Sequence, residues 1–260
     1  MDVQIQGWAI LATGWATGLI AGSTITMIAA RGPIVWKLTD REGPATFWGR
    51  SQCAECGAQL TWRDLVPLAS YFVSGGRARC CGAAIPGRYP VIEFCAGIIG
   101  VASVWRFGVT ADAAFAAALG WIALSLAAID ARDGVLPDAL TGPLLWLGLI
   151  ANLADRFAPL ASAVIGAAVG YVALRAIEET YRLLRGRDGL GRGDAKLLAA
   201  FGAILGWERL PFLVLGAALA ALAVALATAV VRRRSLASNA EIAFGPYLVA
   251  AGLALLFAPV

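Results

Sequence analysis

The sequence contains no histidine and only two lysines, Lys37 and Lys196, among its 260 residues. Ser-His-Asp, Cys-His and His-Glu-x-x-His catalysis all require a histidine side chain. The sequence therefore excludes these hydrolase mechanisms. Charged residues are also scarce, because they make up only 15% of the chain, whereas a soluble domain has about a quarter.

Apolar residues dominate, at 60% of the chain with a mean hydropathy of +0.74. Several runs approach the roughly 20 residues that cross about 30 Å of hydrocarbon. The first run has only Asp2 before it and no basic segment, so we expect a retained span and not a signal peptide. The pattern predicts an all-α polytopic membrane protein with about eight spans, near residues 8–30, 89–107, 111–131, 139–155, 159–183, 194–207, 210–231 and 242–258.

We divide the chain into a first transmembrane helix (1–30), a cytoplasmic cysteine-containing domain (31–88) and a seven-helix membrane domain (89–260). The region 31–88 is too long for a simple connector. The sixth span has only 13 residues, from Ala195 to Trp207, which do not cross the hydrocarbon. We expect either a half-span or a glycine-rich segment that dips into the membrane to meet it.

Basic residues predict the orientation. If both termini lie outside, the region 31–88 and the loops near 132–138, 184–193 and 232–241 are cytoplasmic. Only three of the 21 basic residues, Arg106, Arg156 and Arg209, then fall on the outer side. We interpret the inner arginines, including the run at 232–234, as topology anchors and expect no nucleic-acid partner.

Acidic residues cluster at two places on the predicted cytoplasmic side. Asp130 ends the third span, Asp133 and Asp138 follow it, and Asp194 stands at the start of the sixth span. Asp138 and Asp194 could be helix N-caps. Capping does not explain Asp130, because a carboxylate at a helix C-terminus opposes the dipole. Ionisable residues at membrane depth are functional candidates.

Two neighbouring carboxyl groups suit aspartic-protease chemistry, which needs no histidine. One shared proton leaves one acid to activate water and the other to polarise a carbonyl. A helix that begins at Asp194 favours its anion, so we expect Asp130 to hold the shared proton. Glycines beside Asp194 allow backbone to approach a substrate closely.

Four cysteines lie in the region 31–88. Cys53 and Cys56 form a Cys-x-x-Cys pair, and Cys80 and Cys81 are adjacent. This spacing predicts a structural zinc site with four thiolates, with a three-cysteine site or no metal as alternatives. Cys95 lies within the second span and is expected to pack in the core.

Five motifs together resemble the type IV prepilin peptidases, and the Gly-x-Gly-Asp motif is shared with presenilin-like aspartyl proteases. They are "RSQCAECGAQLTWRDLVPLASYF", "RYPVIEF", "IDARDGVLPDALT", "GRGDAKLL" and "IAFGPYLVAAG". The resemblance implies catalysis by Asp130 and Asp194, with supporting roles for Asp133, Asp138, Gly191, Gly193 and Lys196. A pairing of Asp138 with Asp194 is the alternative.

The resemblance implies cleavage of the short basic leader of prepilins or pseudopilins after a glycine, at the cytoplasmic face of the bacterial inner membrane. It also implies methylation of the new N-terminus with S-adenosylmethionine, and zinc bound by two Cys-x-x-Cys pairs. The chain departs from the family in two places. Ala78 stands where the second pair should begin, and "AGSTITMIAARGP" replaces the usual Gly-Ser-Phe-Leu-Asn-Val-Val, keeping Gly22 and Ser23.

Two other functions fit some of these features. Acids beside a glycine-interrupted short span also mark proton- or cation-coupled transporters. Here the acids lie at one face and no inverted repeat is visible. A membrane methyltransferase without peptidase activity would not need both aspartate motifs, so we favour the peptidase.

Overall fold

The computed structural model describes residues 2–41, 43, 46–186, 191–232 and 243–258. These residues form nine α-helices and no strands. The helices are α1 (Asp2–Val35), α2 (Ala69–Val73), α3 (Arg88–Phe107), α4 (Ala111–Asp133), α5 (Asp138–Ala151), α6 (Leu160–Arg185), α7 (Arg192–Leu205), α8 (Leu210–Arg232) and α9 (Gly245–Phe257). Gly189, Arg233, Arg234 and most of the predicted inner loop at 232–241 lie outside the described residues.

Each of the eight predicted spans corresponds to a helix, and the chain is an all-α polytopic membrane protein. Five helices are long and apolar enough to cross a membrane: Gly7–Val35, Arg88–Phe107, Ala111–Asp133, Leu160–Arg185 and Trp207–Val231. The helices α5, α7 and α9 have 14, 14 and 13 residues. At 1.5 Å per residue each is only about 20 Å long. The short length predicted for the sixth span is therefore shared by two further helices, which sequence reasoning missed.

The chain divides into two compact units, Met1–Ala128 and Ile129–Val260. In the first unit, α1 packs on α3 through small residues. A Cβ atom at Gly14, Gly18 or Gly22 would meet backbone of α3, at Gly100, Ala96 and Glu93 respectively. The contacts run in opposite directions along the two helices, so α1 and α3 are antiparallel. The retained Gly22 of the N-terminal motif thus has a packing role.

Enlarging Gly18 should separate α1 from α3. In a Gly18→Leu variant the new side chain meets the Ala96 carbonyl and Gly97 Cα, neither of which can rotate away. Overpacking of this kind costs about 1–3 kcal/mol, so we expect a lower thermal unfolding temperature in detergent. Gly7→Leu is the matched control, because no atom lies within 4 Å of its Cβ position. Equal unfolding temperatures for the two variants would contradict this packing.

In the second unit, α7 is buried on all sides, with every residue from Ala195 to Leu205 buried except Lys196. Glycines on three neighbouring helices bring backbone against it: Gly148 of α5, Gly166 and Gly170 of α6, and Gly252 of α9. A helix that is apolar on every face belongs in the interior. The role of α7 is therefore to hold its first turn in a fixed place.

Asn152 secures the opposite end of α7. This fully buried residue donates hydrogen bonds from Nδ2 to the Ala203 and Ile204 carbonyls, both at 2.9 Å. Its Oδ1 accepts from the Phe157 and Ala158 amides at 3.0 and 3.2 Å. The last carbonyls of a helix have no partner within the helix, so one amide side chain satisfies two of them and ties α7 to the α5–α6 connection.

Candidate active site and metal centre

Asp130 lies one turn before the end of α4 and is buried, with 6% of its surface exposed. The chain turns directly after the helix, where the Gly134 amide donates to the Asp130 carbonyl at 2.9 Å with a positive φ of 64°. The side chain of Asp130 meets the start of α9. Its Oδ2 accepts a hydrogen bond from the Gly245 amide at 3.0 Å. The free N–H groups of a helix N-terminus stabilise a carboxylate.

Asp194 is the third residue of α7 and is equally buried, at 6% exposed. Gly191, in an extended conformation, is the N-cap of α7, and its carbonyl accepts a hydrogen bond from the Asp194 amide at 3.0 Å. Asp194 therefore is not the helix cap. Gly193, the residue before Asp194, packs against Leu136 in the turn that follows Asp130, so the two helix ends that carry these acids, 64 residues apart in the sequence, adjoin each other in the second unit.

Two motif glycines lie where a side chain would meet these acids, and a third lies against the turn after α4. A Cβ at Gly191 would lie 3.2 Å from Asp194 Oδ2, and one at Gly245 would lie 2.6 Å from Asp130 Oδ2. A Cβ at Gly193 would lie 2.7 Å from the Cβ of Leu136 in the turn after α4. The Gly-x-Gly-Asp and Phe-Gly-Pro motifs are therefore explained by close packing around the two carboxyl groups.

The predicted supporting residues occupy the surrounding positions. The Asp138 carboxylate forms an ion pair with the Lys196 ammonium, which lies two residues after Asp194. Asp138 is the first residue of α5, with Pro137 at the N-cap and no side-chain capping bond. The interpretation of Asp138 as an N-cap is thus wrong, because its side chain reaches α7 instead. Asp133 is the last residue of α4 and is half-buried.

Sequence reasoning missed two contacts at the site. The Phe-Gly-Pro motif contains Gly245, but the motif alone gives no indication that the Gly245 amide contacts Asp130. The second missed contact is made by Glu178 of α6, which is 2% exposed. Its carboxylate accepts a hydrogen bond from Arg175, and its Oε1 lies 3.7 Å from Arg192 Nε. Arg192 is the variable residue of Gly-x-Gly-Asp. The adjacent pair Glu178 and Glu179, within a predicted span, was the signal that could have indicated such a partner.

Four of the five cysteines in the first unit, Cys53, Cys56, Cys80 and Cys81, converge. Their Sγ atoms all lie within 4.8 Å of one another, with Cys56 to Cys80 at 3.3 Å and Cys53 to Cys81 at 3.8 Å. Four thiolates at 2.3 Å around a tetrahedral zinc stand about 3.8 Å apart. The cluster therefore fits a metal ion of this kind, and all four predicted ligands are present in it.

Two equivalent turns build the cluster. In the first, the Gly57 amide donates to the Cys53 carbonyl; in the second, the Gly82 amide donates to the Ala78 carbonyl. Both glycines have a positive φ, of 71° and 73°. An isolated antiparallel bridge flanks each turn, Gln52 to Gln59 and Arg77 to Ala84.

This equivalence explains how the adjacent cysteines fit. Ala78 matches Cys53, so the chain lacks the first cysteine of the second turn. Cys81 matches Cys56, and Cys80 occupies the position of Glu55, from which its thiol still reaches the other three. Amides of Cys56 and Glu55 lower the pKa of the Cys53 thiol to about 7, whereas the hydrogen bond to Cys56 raises the pKa of Cys80 to about 12. Without a metal, one thiolate is shared among thiols.

Comparison with known proteins gives consistent matches. Residues 117–226 match the type IV leader peptidase family, and residues 16–107 match the bacterial peptidase A24 N-terminal domain. Three similar relatives are each described as a prepilin leader peptidase/N-methyltransferase. They come from Dickeya chrysanthemi (42% identity, 90% of this chain and 88% of the relative), Burkholderia pseudomallei (41%, 95% and 85%) and Pseudomonas aeruginosa (38%, 92% and 88%). No solved structure matches the chain.

The fold and the site define a polytopic helical membrane protein built around two buried aspartates. The matches identify it further: the chain belongs to the type IV leader peptidase family. The prediction of a membrane peptidase of this family is confirmed, and the transporter alternative finds no support among these relatives.

Proposed function

We propose that this protein cleaves the leader peptide of type IV prepilins or pseudopilins with Asp130 and Asp194 as its catalytic residues. One observation carries this proposal. Two buried carboxyl groups lie on helix ends that pack together, one near the end of α4 and one in the first turn of α7. The chemistry needs neither histidine nor a metal ion at the site.

The two acids have different roles in our proposal because their hydrogen-bond partners differ. The Gly245 amide stabilises the Asp130 carboxylate, which leaves the shared proton on Asp194. This is the reverse of the assignment expected from the sequence, because α9 presents an N–H group to Asp130. Asp130 takes a proton from water, the resulting hydroxide attacks the scissile carbonyl, and Asp194 donates a proton to the carbonyl oxygen. The tetrahedral intermediate then collapses: Asp194 takes back the hydroxyl proton, the peptide C–N bond breaks, and Asp130 passes its proton to the leaving amine, which restores both acids.

The supporting residues position Asp194. Lys196 is held by Asp138, and this ion pair ties the first turn of α7 to the first turn of α5. Gly191 and Gly193 keep side chains away from Asp194 and from the turn after α4. Asp133 lies on that same turn. We assign these residues a role in geometry and not in proton transfer.

The site faces the cytoplasm of the bacterial inner membrane in our proposal, with both termini outside. The distribution of arginines supports this orientation. A prepilin carries a basic leader before an apolar helix, so its cleavage point lies at the membrane boundary on the side of its positive charge. Asp130 and Asp194 lie near helix ends, as a boundary site requires.

We further propose that the protein methylates the new N-terminus with S-adenosylmethionine, as the names of its relatives indicate for them. The match of residues 16–107 to the N-terminal family domain supports this second activity. Gly22 does not add support, because its contact with Glu93 gives it a packing role.

Both activities can be read in one experiment. The full-length protein in proteoliposomes is incubated with a prepilin and S-adenosylmethionine, and the product N-terminus is analysed by mass spectrometry. We expect loss of the leader and addition of one methyl group, since the mature N-terminus is the acceptor. An intact prepilin would refute the peptidase proposal, and a cleaved but unmethylated product would refute only the second activity.

We propose that Cys53, Cys56, Cys80 and Cys81 bind one structural zinc ion. The sulfur spacing and the two glycine turns support it, and a cytoplasmic location disfavours disulfides. When bound, zinc would lock the two turns together and so order the segment between α1 and α3. The thiols would lose their protons on binding.

Metal analysis of the purified protein should then find one zinc per chain. Cys53→Ser should lose the metal and unfold at a lower temperature, because structural zinc contributes directly to folding. Cys95→Ser is the matched control, since Cys95 lies on α3 outside the cluster and should leave the zinc content unchanged. Full zinc content in Cys53→Ser would contradict the site.

A further inference from the structure

Glu93 is a carboxylate within α3, one of the helices that cross the membrane, and catalysis does not use it. It is half-buried, and its Oε2 accepts a hydrogen bond from the Leu68 amide at 2.8 Å. An ionisable side chain in a span needs a partner. Here the partner is the backbone of the segment between the two cysteine turns.

The depth of this contact can be measured along both helices. Glu93 is five residues after Arg88, the first residue of α3, so it lies about 7.5 Å inside the helix. On α1 it lies opposite Gly22, whose Cβ position is 2.7 Å from Glu93 Cα. Gly22 precedes the end of α1 at Val35 by 13 residues, or about 20 Å. Leu68 is therefore level with residues that lie inside the apolar stretches Gly7–Val35 and Arg88–Phe107, each long enough to cross a membrane.

The segment around Leu68 has the composition of a lipid-facing element. Residues 65–73, LVPLASYFV, carry no charge. Phe72 and Val73 are 72% and 75% exposed, and Leu65 and Val66 are also exposed. A row of exposed apolar side chains of this kind marks an interaction surface.

Several of its backbone amides are paired within the protein. The Ser70 amide donates to the Val66 carbonyl, and the Phe72 amide donates to the Leu68 carbonyl. Pro67 has no N–H group, and the Leu68 amide is satisfied by Glu93. Leu68 itself has a φ of 59°, a conformation that this hydrogen bond holds in place. Non-helical backbone survives at membrane depth only when its polar groups are paired in this way.

We propose that residues 65–73 form a re-entrant segment that inserts into the acyl chains of the bilayer, anchored to α3 through Glu93. In this proposal Trp62 lies at the level of the lipid headgroups. Its ring is exposed and the Arg63 guanidinium stacks over it, an arrangement suited to the membrane–water interface. Part of the region 31–88, expected to be cytoplasmic from its sequence, is thereby a membrane element. The cysteine turns on either side of it are held at the membrane surface.

Photocrosslinking tests this insertion directly. The full-length protein with Phe72→p-benzoylphenylalanine is reconstituted in vesicles of phosphatidylcholine and phosphatidylglycerol, irradiated and analysed for lipid adducts by mass spectrometry. Trp48→p-benzoylphenylalanine is the matched control. Trp48 is 88% exposed, but its segment is held by Arg31, which lies about 13 Å beyond Gly22 toward the end of α1.

We expect at least a five-fold excess of lipid adducts at position 72 over position 48. Equal yields, or adducts at position 48 alone, would overturn the proposal. In the position-72 protein, Glu93→Leu should lower the adduct yield and speed deuterium exchange at the Leu68 amide, whereas Glu93→Gln keeps an acceptor and should preserve both. The same yield in all three proteins would refute the anchoring role of Glu93. These readouts are independent of leader cleavage.

Discussion

Replacing Asp194 by Asn is expected to reduce prepilin cleavage by about 10³-fold or more, with no change in the fold. The variant keeps the size and a hydrogen-bonding group of the side chain but removes the titratable proton. Asp130→Asn should fail to the same degree, because it removes the group that accepts the proton from water. Losses of this size are typical when one member of a catalytic unit is removed. Cleavage rates with a purified prepilin measure them.

Two controls separate a chemical effect from a folding effect. Glu179→Gln also removes one carboxylate, but Glu179 is a partly exposed residue of α6 that pairs with Arg182, so cleavage should stay near the wild-type rate. Both aspartate variants should still methylate a pilin peptide that already lacks its leader. Normal processing by either aspartate variant would remove that residue from the catalytic machinery.

Adding a single methyl group at Gly245 should reduce leader cleavage nearly as strongly as the two aspartate substitutions. The Cβ of a Gly245→Ala variant would lie 2.6 Å from Asp130 Oδ2 and 3.0 Å from its Cγ, so the carboxyl group must move. A displacement of about 1 Å at a reacting group can cost about 10²-fold in rate. We expect kcat to fall by this order while KM changes little, because the change displaces a reacting group.

Gly216→Ala is the matched control for this change. Gly216 lies on α8, and its Cβ position is 3.5 Å from the Ala251 Cβ, an ordinary contact. This variant should keep the wild-type kcat and unfolding temperature. A Gly245→Ala protein that is as active as Gly216→Ala would show that the start of α9 does not position Asp130.

The sequence predicts the helical class, the eight helices and the acid pair because each depends on local signals. Apolar runs indicate spans, and an aspartate that ends such a run, like Asp130, has no local reason to be there. The prediction placed the end of α5 four residues too late, because a tertiary partner determines it. The α5 helix ends just before Asn152, whose side chain donates to two carbonyls at the end of α7. No pattern within α5 indicates that contact.

Other features depend on contacts between distant residues. The hydrogen bond from Gly245 to Asp130 joins positions 115 residues apart, and our proposal that Asp194 holds the shared proton rests on it. The fit of Cys80 depends on a turn that repeats the geometry around Cys53 although Ala78 replaces the matching cysteine. The tie between Glu93 and Leu68 is likewise invisible in a segment that reads as part of a cytoplasmic loop.

The most direct test of the central claim compares kcat/KM for leader cleavage in Asp130→Asn, Asp194→Asn and the double variant. If the two acids act as one unit around a shared proton, each single change already removes it, and the double variant should be no slower than the slower single one. Losses that multiply in the double variant, or a single variant that retains wild-type cleavage, would contradict a catalytic pair of Asp130 and Asp194.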